Sequence, residues 1–262
     1  MKEYYDGFCF DGKIKVYNPF SILSFLHTKV FKNFWYSSGS PSFIVHWMKK
    51  HHIQHPDEYR YIEVDIDFAD LCEIENAEPA SFLYQSGYLT IEKIDGILLT
   101  LDYPNKEVLI SISRMYLRYI YKIKDYIKIG KSIWEALEKE DFQSIVEFYN
   151  TFLAELPYDG LGSRNEYWYR AFFLLLLRCV GIIGYAEVHT SQGRSDIVVQ
   201  LDRQFIVIEF KFAENAHAVD SKRREGIAQI QRRGYAKAYE GTSRRVVTAV
   251  IVANDELRQA TL

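Results

Sequence analysis

The chain has 262 residues, 48% of them hydrophobic and 26% charged, and a formal net charge of −3 at pH 7. This length allows one large or two modest domains, and the hydrophobic content supports buried cores and argues against disorder. We expect a cytoplasmic protein without membrane segments, because the apolar run 171–177 cannot cross a bilayer, no signal peptide follows Met1, and Cys9, Cys72 and Cys179 are scattered like reduced thiols.

The first half of the chain is predicted to be mainly helical, with one β-rich interruption. Asn18 and Pro19 are typical of a helix start, and a turn at 37–41 precedes a helix over 42–50. Residues 63–68 alternate acidic and apolar side chains, which predicts a half-exposed strand. His51, His52 and His55 lie close together, but without acids or cysteines at a ligand spacing they indicate an exposed loop.

Residues 79–119 have the pattern of a short helix, a hairpin and another helix. The hairpin arms, 88–93 and 97–101, are joined through Asp95 and Gly96, a strong turn signal. We interpret this segment as a winged-helix-like module. A longer apolar stripe then predicts a helix over 133–153, and the sequence PYDGLGS at 157–163 breaks it. The predicted domains are therefore residues 1–156 and 157–262.

Two apolar strands of the second domain carry charged residues at their ends. The stretch 193–211 reads GRSDIVVQLDRQFIVIEFK, with Asp196 beginning one strand and Glu209 and Lys211 ending the next. Residues 201–204 form the predicted turn between them. Because strand side chains alternate, Glu209 and Lys211 share a face and Phe210 points the other way. Such charges are costly to bury unless they are paired or bound to a metal, so they are candidates for a site.

The residue types at these strand ends suggest a reaction. Two carboxylates from adjacent strands supply hard oxygen ligands, which suit Mg²⁺ or Mn²⁺. A neighbouring lysine can position a water molecule, help to deprotonate it, or stabilise charge developing on a phosphate. Together these parts predict a metal-dependent phosphodiester hydrolase. An isolated Glu-x-Lys pair on an edge strand is more often a simple salt bridge.

The pattern resembles the PD-(D/E)XK nuclease superfamily, with Asp196, Glu209 and Lys211 at the three signature positions and Ser195 replacing the usual proline. The resemblance implies that Asp196, Glu209, the carbonyl of Phe210 and Glu166 hold the metal. It also implies that Gln229, or its neighbour Gln231, orients substrate or water from the following helix. Considered alone, Glu166 is equally well explained as an acid in the first turn of a helix. An acid on the preceding strand, Glu187, is a weaker ligand candidate.

The run from about 161 to 252 is similar to the nuclease domain fused to AAA-ATPase-like domains in bacterial proteins. The segments 83–91 and 103–108 are similar to the linker of that family, and residues 4–21 resemble the end of its ATPase region. The chain has no GxxxxGK[ST] phosphate loop, so the nucleotide-binding part of that architecture is absent from this sequence. A separate AAA-ATPase-like partner is therefore an expectation.

The two halves of the chain differ in charge. Residues 1–156 contain 17 Lys and Arg against 23 Asp and Glu, whereas residues 157–262 contain 15 against 12. Basic residues concentrate at 222–224, 232–233 and 244–245, which suits contacts with a phosphate backbone, although each cluster alone is also typical of a solvated helix face. We expect nucleic acid as the partner, DNA before RNA.

The predicted fold is therefore α/β: a restriction-endonuclease-like mixed sheet flanked by helices, preceded by a mainly helical half with a winged-helix-like hairpin. The predicted function is Mg²⁺- or Mn²⁺-dependent hydrolysis of nucleic acid. Cutting both strands of a duplex would call for a homodimer. The alternative is a non-catalytic module that binds nucleic acid or protein and partners a separate ATPase, and a third option is a solitary effector or toxin.

Overall fold

The structure, a computed structural model, describes residues 1–35, 41–51, 55–69, 77–157, 164–182, 184–190, 193–234 and 244–262. Two compact units divide between Lys122 and Ile123, and each is described by itself below. Among the described residues no helix combines the length and the apolar character needed to cross a membrane. Cys9 and Cys179 are buried thiols, and Cys72 lies outside the described residues.

The first unit contains short helices and two small antiparallel sheets. Its strands pair as β1–β2 and as β3–β5–β4. Its elements are α1 (Lys2–Tyr5), β1 (Asp6–Cys9), β2 (Lys15–Tyr17), α2 (Pro19–Thr28), α3 (Pro41–Lys50), a 3₁₀ turn (Pro56–Tyr59), β3 (Ile62–Asp65), α4 (Pro79–Gln85), β4 (Thr90–Asp95), β5 (Leu98–Asp102), α5 (Lys106–Met115) and a π-helical turn (Tyr116–Ile120).

In the first unit, the helix start at Asn18 and the turn at Gly96 form where the sequence predicts them. The Asn18 side chain accepts a hydrogen bond from the Ser21 amide at the start of α2. Gly96 adopts a positive φ of 63° between β4 and β5, a conformation that glycine reaches without steric cost. The order of helix, hairpin and helix over 79–119 agrees with the prediction, and β3 adds a third strand beside β5. The winged-helix interpretation stays a prediction.

The prediction that His51 and His55 lie in an exposed loop is wrong. His55 is buried, and its Nδ1 accepts the Asp57 amide at the start of the 3₁₀ turn. The His51 ring stacks on Trp47, with ring centroids 4.1 Å apart. Both rings serve packing and capping, and His52 lies outside the described residues.

The second unit surrounds a five-stranded sheet with helices. Its strand order is β10-β9-β8-β7-β6; β8 and β9 run parallel, and the other neighbours run antiparallel. The mixed sheet confirms the predicted fold class. Its elements are α6 (Tyr126–Lys139), α7 (Phe142–Glu155), α8 (Glu166–Cys179), β6 (Gly184–Thr190), β7 (Gly193–Gln200), β8 (Gln204–Ala213), a 3₁₀ turn (Ala216–Ala218), α9 (Val219–Arg233), β9 (Arg245–Asn254) and β10 (Gln259–Thr261).

Strand β8 is central, and its alternating side chains enter two different cores. Val207 packs with Ile230 of α9 on one face. On the other face, Phe210 lies 5.5 Å from the ring of Phe173 in α8 and 6.4 Å from that of Tyr149 in α7. Because helices cover both faces, the apolar residues of β8 are continuous, as expected for a fully buried strand.

A single helix over 133–153 is also a wrong prediction. The chain leaves the α-helical conformation at Glu140, which has a positive φ of 57°, and Asp141 then caps α7 by accepting the Ser144 amide. Apolar spacing alone does not reveal this break, because buried apolar residues recur at helical spacing before it, at Ile133 and Leu137, and after it, at Ile145 and Tyr149.

Helices α6 and α7 lie with the sheet in the second unit. The Tyr149 hydroxyl donates to the Tyr169 carbonyl of α8 at 2.5 Å, and Gln204 donates to the Leu137 carbonyl at 3.1 Å. The structural division after Lys122 therefore falls earlier than the predicted boundary between residues 156 and 157.

The Asn150 side chain ties the edge strand β10 to helix α7. Its amide nitrogen donates to the Ala260 carbonyl at 2.9 Å, and its oxygen accepts the Ala260 amide at 2.7 Å. The side chain thus substitutes for a neighbouring strand at both backbone groups of Ala260.

Replacing Asn150 with alanine should lower the free energy of unfolding by about 2 kcal/mol, since two part-buried hydrogen bonds are lost. Denaturant unfolding of the purified protein measures the change. Gln143→Ala is the matched control, because Gln143 is an exposed amide on the same helix whose side chain donates to the exposed Glu147. Equal effects of the two substitutions would contradict the role assigned to Asn150.

Candidate metal and phosphodiester site

Antiparallel pairing of β7 with β8 brings the two predicted acids together. The register pairs Ile197 with Ile208, so Asp196 and Glu209 stand one step beyond this pair. Asp196 is 8% exposed and Glu209 is fully buried. Two buried carboxylates at neighbouring positions repel each other unless positive charge lies close by.

Lys211 supplies positive charge beside Glu209. Its ammonium donates to Glu209 Oε1 at 2.9 Å and to the Phe210 carbonyl at 3.1 Å, and the lysine is only 5% exposed. The two-residue spacing places Glu209 and Lys211 on one face of β8, as predicted from strand alternation. The other oxygen of Glu209, Oε2, is buried and has no hydrogen-bond partner among the described residues.

The site shifts the ionisation of Glu209. Burial is the main cause that raises its pKa, to about 7, and the charge of Asp196 adds to the effect, while the hydrogen bond from Lys211 acts in the opposite direction. For Lys211, burial opposes the charged form, but the hydrogen bond and charge of Glu209 outweigh it and raise the pKa of the ammonium. Lys211 is therefore protonated at neutral pH.

Asp196 is held by Arg170, a residue that the sequence does not predict as part of the site. Arg170 of α8 donates from Nη1 to Asp196 Oδ1 at 3.0 Å, and the Phe210 amide donates to Oδ2 at 2.8 Å. The Arg170 side chain is 10% exposed. Because Arg170 borders the apolar run 171–177, its sequence position is typical of a charged residue that flanks an apolar helix. It lies 26 residues from Asp196 in the sequence, so no local pattern indicates that the two side chains meet.

Glu166 lies at the start of α8, one helical turn before Arg170. Its Oε2 is 3.8 Å from Lys211 Nζ, and its side chain is 39% exposed. Burial raises the pKa of Glu166, which the positive charge of Lys211 partly offsets. The structure thus brings Glu166 together with the predicted triad, on its more open side.

Helix α9 packs over Lys211 through Gly226. A Cβ atom at Gly226 would lie 2.6 Å from Val250 Cγ1 and 3.3 Å from Lys211 Cγ, so the absence of a side chain lets the helix approach the strand. Gln229 is half-buried one turn further along α9, whereas Gln231 is exposed. Gln229 is therefore the less exposed of the two predicted glutamines, and its role stays a prediction. Glu187 belongs to β6, but its side chain lies outside the described part of the chain.

The donor atoms at the site fit a hard divalent cation. Two carboxylates and the Phe210 carbonyl converge here, and Glu209 Oε2 is a buried oxygen that lacks a partner among the described residues. Such oxygens are the preferred ligands of Mg²⁺ and Mn²⁺. A cluster of three or more His, Cys, Asp or Glu side chains with metal-binding geometry is not found within the described residues, so any cation would also rely on backbone and water oxygens.

Most of the predicted basic clusters have local partners. Lys222 pairs with Glu225 at 2.8 Å, and Arg223 pairs with Asp220 at 2.7 Å. Arg245 pairs with Glu140. Arg224 and Arg232 are exposed on α9. The clusters therefore offer less positive charge to a phosphate backbone than their number in the sequence suggests.

Glu209→Gln should change how stability depends on pH in metal-free buffer. In the wild type the carboxyl ionises near 4.5 when unfolded and near 7 when folded, so the folded protein binds more protons between these values and loses stability as pH rises. The substitution removes this loss. Relative to wild type, Glu209→Gln should gain about 3 kcal/mol in free energy of unfolding from pH 4.5 to pH 7.

Urea unfolding in EDTA at several pH values measures that gain. Glu214→Gln is the control, because Glu214 is an exposed acid just after β8. Parallel pH profiles for wild type and Glu209→Gln would show that Glu209 has an ordinary pKa.

Gly226→Ala tests the close approach of α9 to β8. Helix propensity alone predicts a gain of about 1 kcal/mol for this change, but the clash with Val250 should cost about 2 kcal/mol. We expect a net loss of stability on thermal or denaturant unfolding. Ala228→Gly, at an exposed position of the same helix, reports propensity alone, and a stabilising Gly226→Ala would contradict the close packing.

The sequence of the chain is similar to that of known proteins. A protein of Azotobacter chroococcum mcd 1, described as an uncharacterized protein in the vnfD 5' region, is 26% identical over 248 residues, which cover 91% of this chain and 47% of that protein. The chain thus spans about half the length of this relative. No solved structure matches the chain. Residues 164–261 match a family model described as the PD-(D/E)XK nuclease superfamily, and Asp196, Glu209 and Lys211 lie on adjoining strands within this part of the chain.

Proposed function

We propose that the protein hydrolyses phosphodiester bonds of nucleic acid, with DNA as the favoured substrate, and that it requires Mg²⁺ or Mn²⁺. The observation that carries the proposal is the pair of neighbouring buried carboxylates with Lys211 beside them. Glu209 keeps one buried oxygen without a partner among the described residues and has a pKa raised to about 7. An unfavourably buried acid of this kind is typical of a functional site.

Asp196, Glu209 and the Phe210 carbonyl are the proposed ligands, with Glu166 as a further ligand from α8. A divalent cation held by these oxygens would act as a Lewis acid toward the phosphate and would lower the pKa of water. The side chain of Glu166 is 39% exposed, against 12% for Asp196 and 0% for Glu209, which supports entry of substrate on the side of Glu166.

Lys211 acts as a hydrogen-bond donor in this proposal. Because its pKa is raised by Glu209, the ammonium stays protonated at neutral pH and can orient the attacking water or stabilise charge on the phosphate. Its contacts with Glu209 and the Phe210 carbonyl hold the ammonium beside the proposed metal ligands. Gln229 is proposed to orient substrate or water from α9.

A second candidate function is a module that binds nucleic acid or a protein partner, such as a separate ATPase, without cleavage. The observation in its favour is that each buried acid already has a cation of the chain beside it, Arg170 for Asp196 and Lys211 for Glu209. Arg170 and Lys211 compensate part of the buried negative charge without metal, and catalytic and binding forms of one fold can share such a site.

The deciding experiment is cleavage of end-labelled single- and double-stranded DNA and RNA with Mg²⁺, Mn²⁺ or EDTA. Asp196→Asn, Glu209→Gln and Lys211→Met should each lower the cleavage rate about a hundredfold or more, since each removes a group that acts on the reacting phosphate or its cation. Glu214→Gln, an exposed charge change near the same strand, should cleave like wild type.

Circular dichroism must first show that the variants are folded. Metal-dependent cleavage lost in the three variants supports the nuclease, and the preferred substrate identifies the nucleic acid. Cleavage that persists in Asp196→Asn and Lys211→Met assigns the reaction elsewhere. Absence of cleavage together with binding to DNA or RNA favours the binding module.

A further inference from the structure

Arg170 is a buried cation in direct contact with a proposed metal ligand. Its guanidinium is 3.0 Å from Asp196 Oδ1, and both side chains are close to nine-tenths buried, at 10% and 12% exposure. Buried arginines are costly unless their charge is compensated. Arg170 and Asp196 thus neutralise each other in the metal-free protein.

Two of the three proposed acidic ligands differ in the hydrogen bonds that their oxygens accept. Glu209 accepts from Lys211 through Oε1 and has Oε2 without a partner among the described residues. Asp196 accepts from Arg170 through Oδ1 and from the Phe210 amide through Oδ2. A divalent cation can therefore reach Glu209 directly, whereas at Asp196 it meets an oxygen that already bears a cationic donor.

The charges of the site also indicate that Arg170 opposes the binding of a cation. Asp196, Glu209 and Glu166 face Arg170 and Lys211, so three formal negative charges stand against two positive ones. A divalent cation that binds here enters next to a guanidinium of like sign, in a region where screening by water is weak. Removing Arg170 would leave a site of greater negative charge, which attracts a cation more strongly.

We propose that Arg170 is a positioning residue that serves as the internal counter-ion of Asp196 and competes with the divalent cation for that carboxylate. The inference rests on the proposed function, because it assumes that Asp196 is a ligand. Before the metal binds, Arg170 compensates the negative charge of Asp196. When the cation binds, Arg170 loses its contact with the carboxylate, and this loss lowers the affinity of the site for the metal. A simple structural role, in which Arg170 only fixes Asp196 for the metal, predicts the opposite sign.

The experiment is titration with Mn²⁺, followed by the electron paramagnetic resonance signal of free Mn²⁺, without nucleic acid. Wild type, Arg170→Gln and Arg170→Met are compared with Asp196→Asn, which removes a ligand. The matched control is Arg232→Gln, because Arg232 is exposed on α9 and its removal changes the net charge equally.

Arg170→Gln and Arg170→Met should bind Mn²⁺ about five- to tenfold more tightly than wild type, as expected when a competing cation is removed. Arg232→Gln should bind like wild type, and Asp196→Asn should lose the site. Equal or weaker Mn²⁺ binding by a folded Arg170→Gln protein overturns the inference and assigns Arg170 a purely structural role.

Loss of Arg170 leaves a buried carboxylate without its cation, so a variant can fail to fold in EDTA. Folding is then followed by circular dichroism as Mn²⁺ is added. Recovery of the fold by Mn²⁺ but not by NaCl supports the inference, because the ion replaces the missing charge. Variants that stay unfolded at saturating Mn²⁺ overturn it.

Failure of the proposed function has a different signature. If wild type binds no Mn²⁺, or if Asp196→Asn binds as tightly as wild type, the metal site itself is wrong and both proposals fall. If Asp196→Asn loses binding while Arg170→Gln gains none, the metal site stands and only the role of Arg170 is refuted.

Discussion

The second unit is organised around the cost of burying carboxylates next to each other. Asp196 and Glu209 lie almost out of contact with water, where two neighbouring negative charges repel each other strongly unless positive charge is near. Two elements supply that charge: β8, which carries Lys211 together with Glu209, and helix α8, which carries Arg170. The start of α8 places Glu166 within 3.8 Å of Lys211, and α9 packs over Lys211 through Gly226.

Local regularity explains which parts of the site could be predicted from the sequence. Strand alternation places Glu209 and Lys211 on one face, and a short turn brings Asp196 beside them. Both effects depend on residues that are close together in the sequence. The apolar runs that flank them are long enough to indicate covered strands. The adjacency of the triad was therefore predictable from the residues themselves, whereas the mixed sheet was expected from the family resemblance.

Other features depend on contacts between distant segments or on unusual backbone conformations. Arg170 meets Asp196 only because α8 packs beside the sheet. Glu140 adopts a left-handed conformation that is uncommon outside glycine, so the break between α6 and α7 has no strong local signal. His55 is buried because it caps a 3₁₀ turn, a role that its neighbours in sequence do not indicate.

Alternation along β8 also restricts how this region can evolve. Phe210 faces the rings of Phe173 and Tyr149, while its neighbours Glu209 and Lys211 face the site. Inserting or deleting one residue within the strand would exchange these faces, burying two charges among aromatic rings and presenting a phenyl group to the acids. Length changes can therefore accumulate in the turn after Gln200 but not in the strand itself, and homologous chains should differ there first.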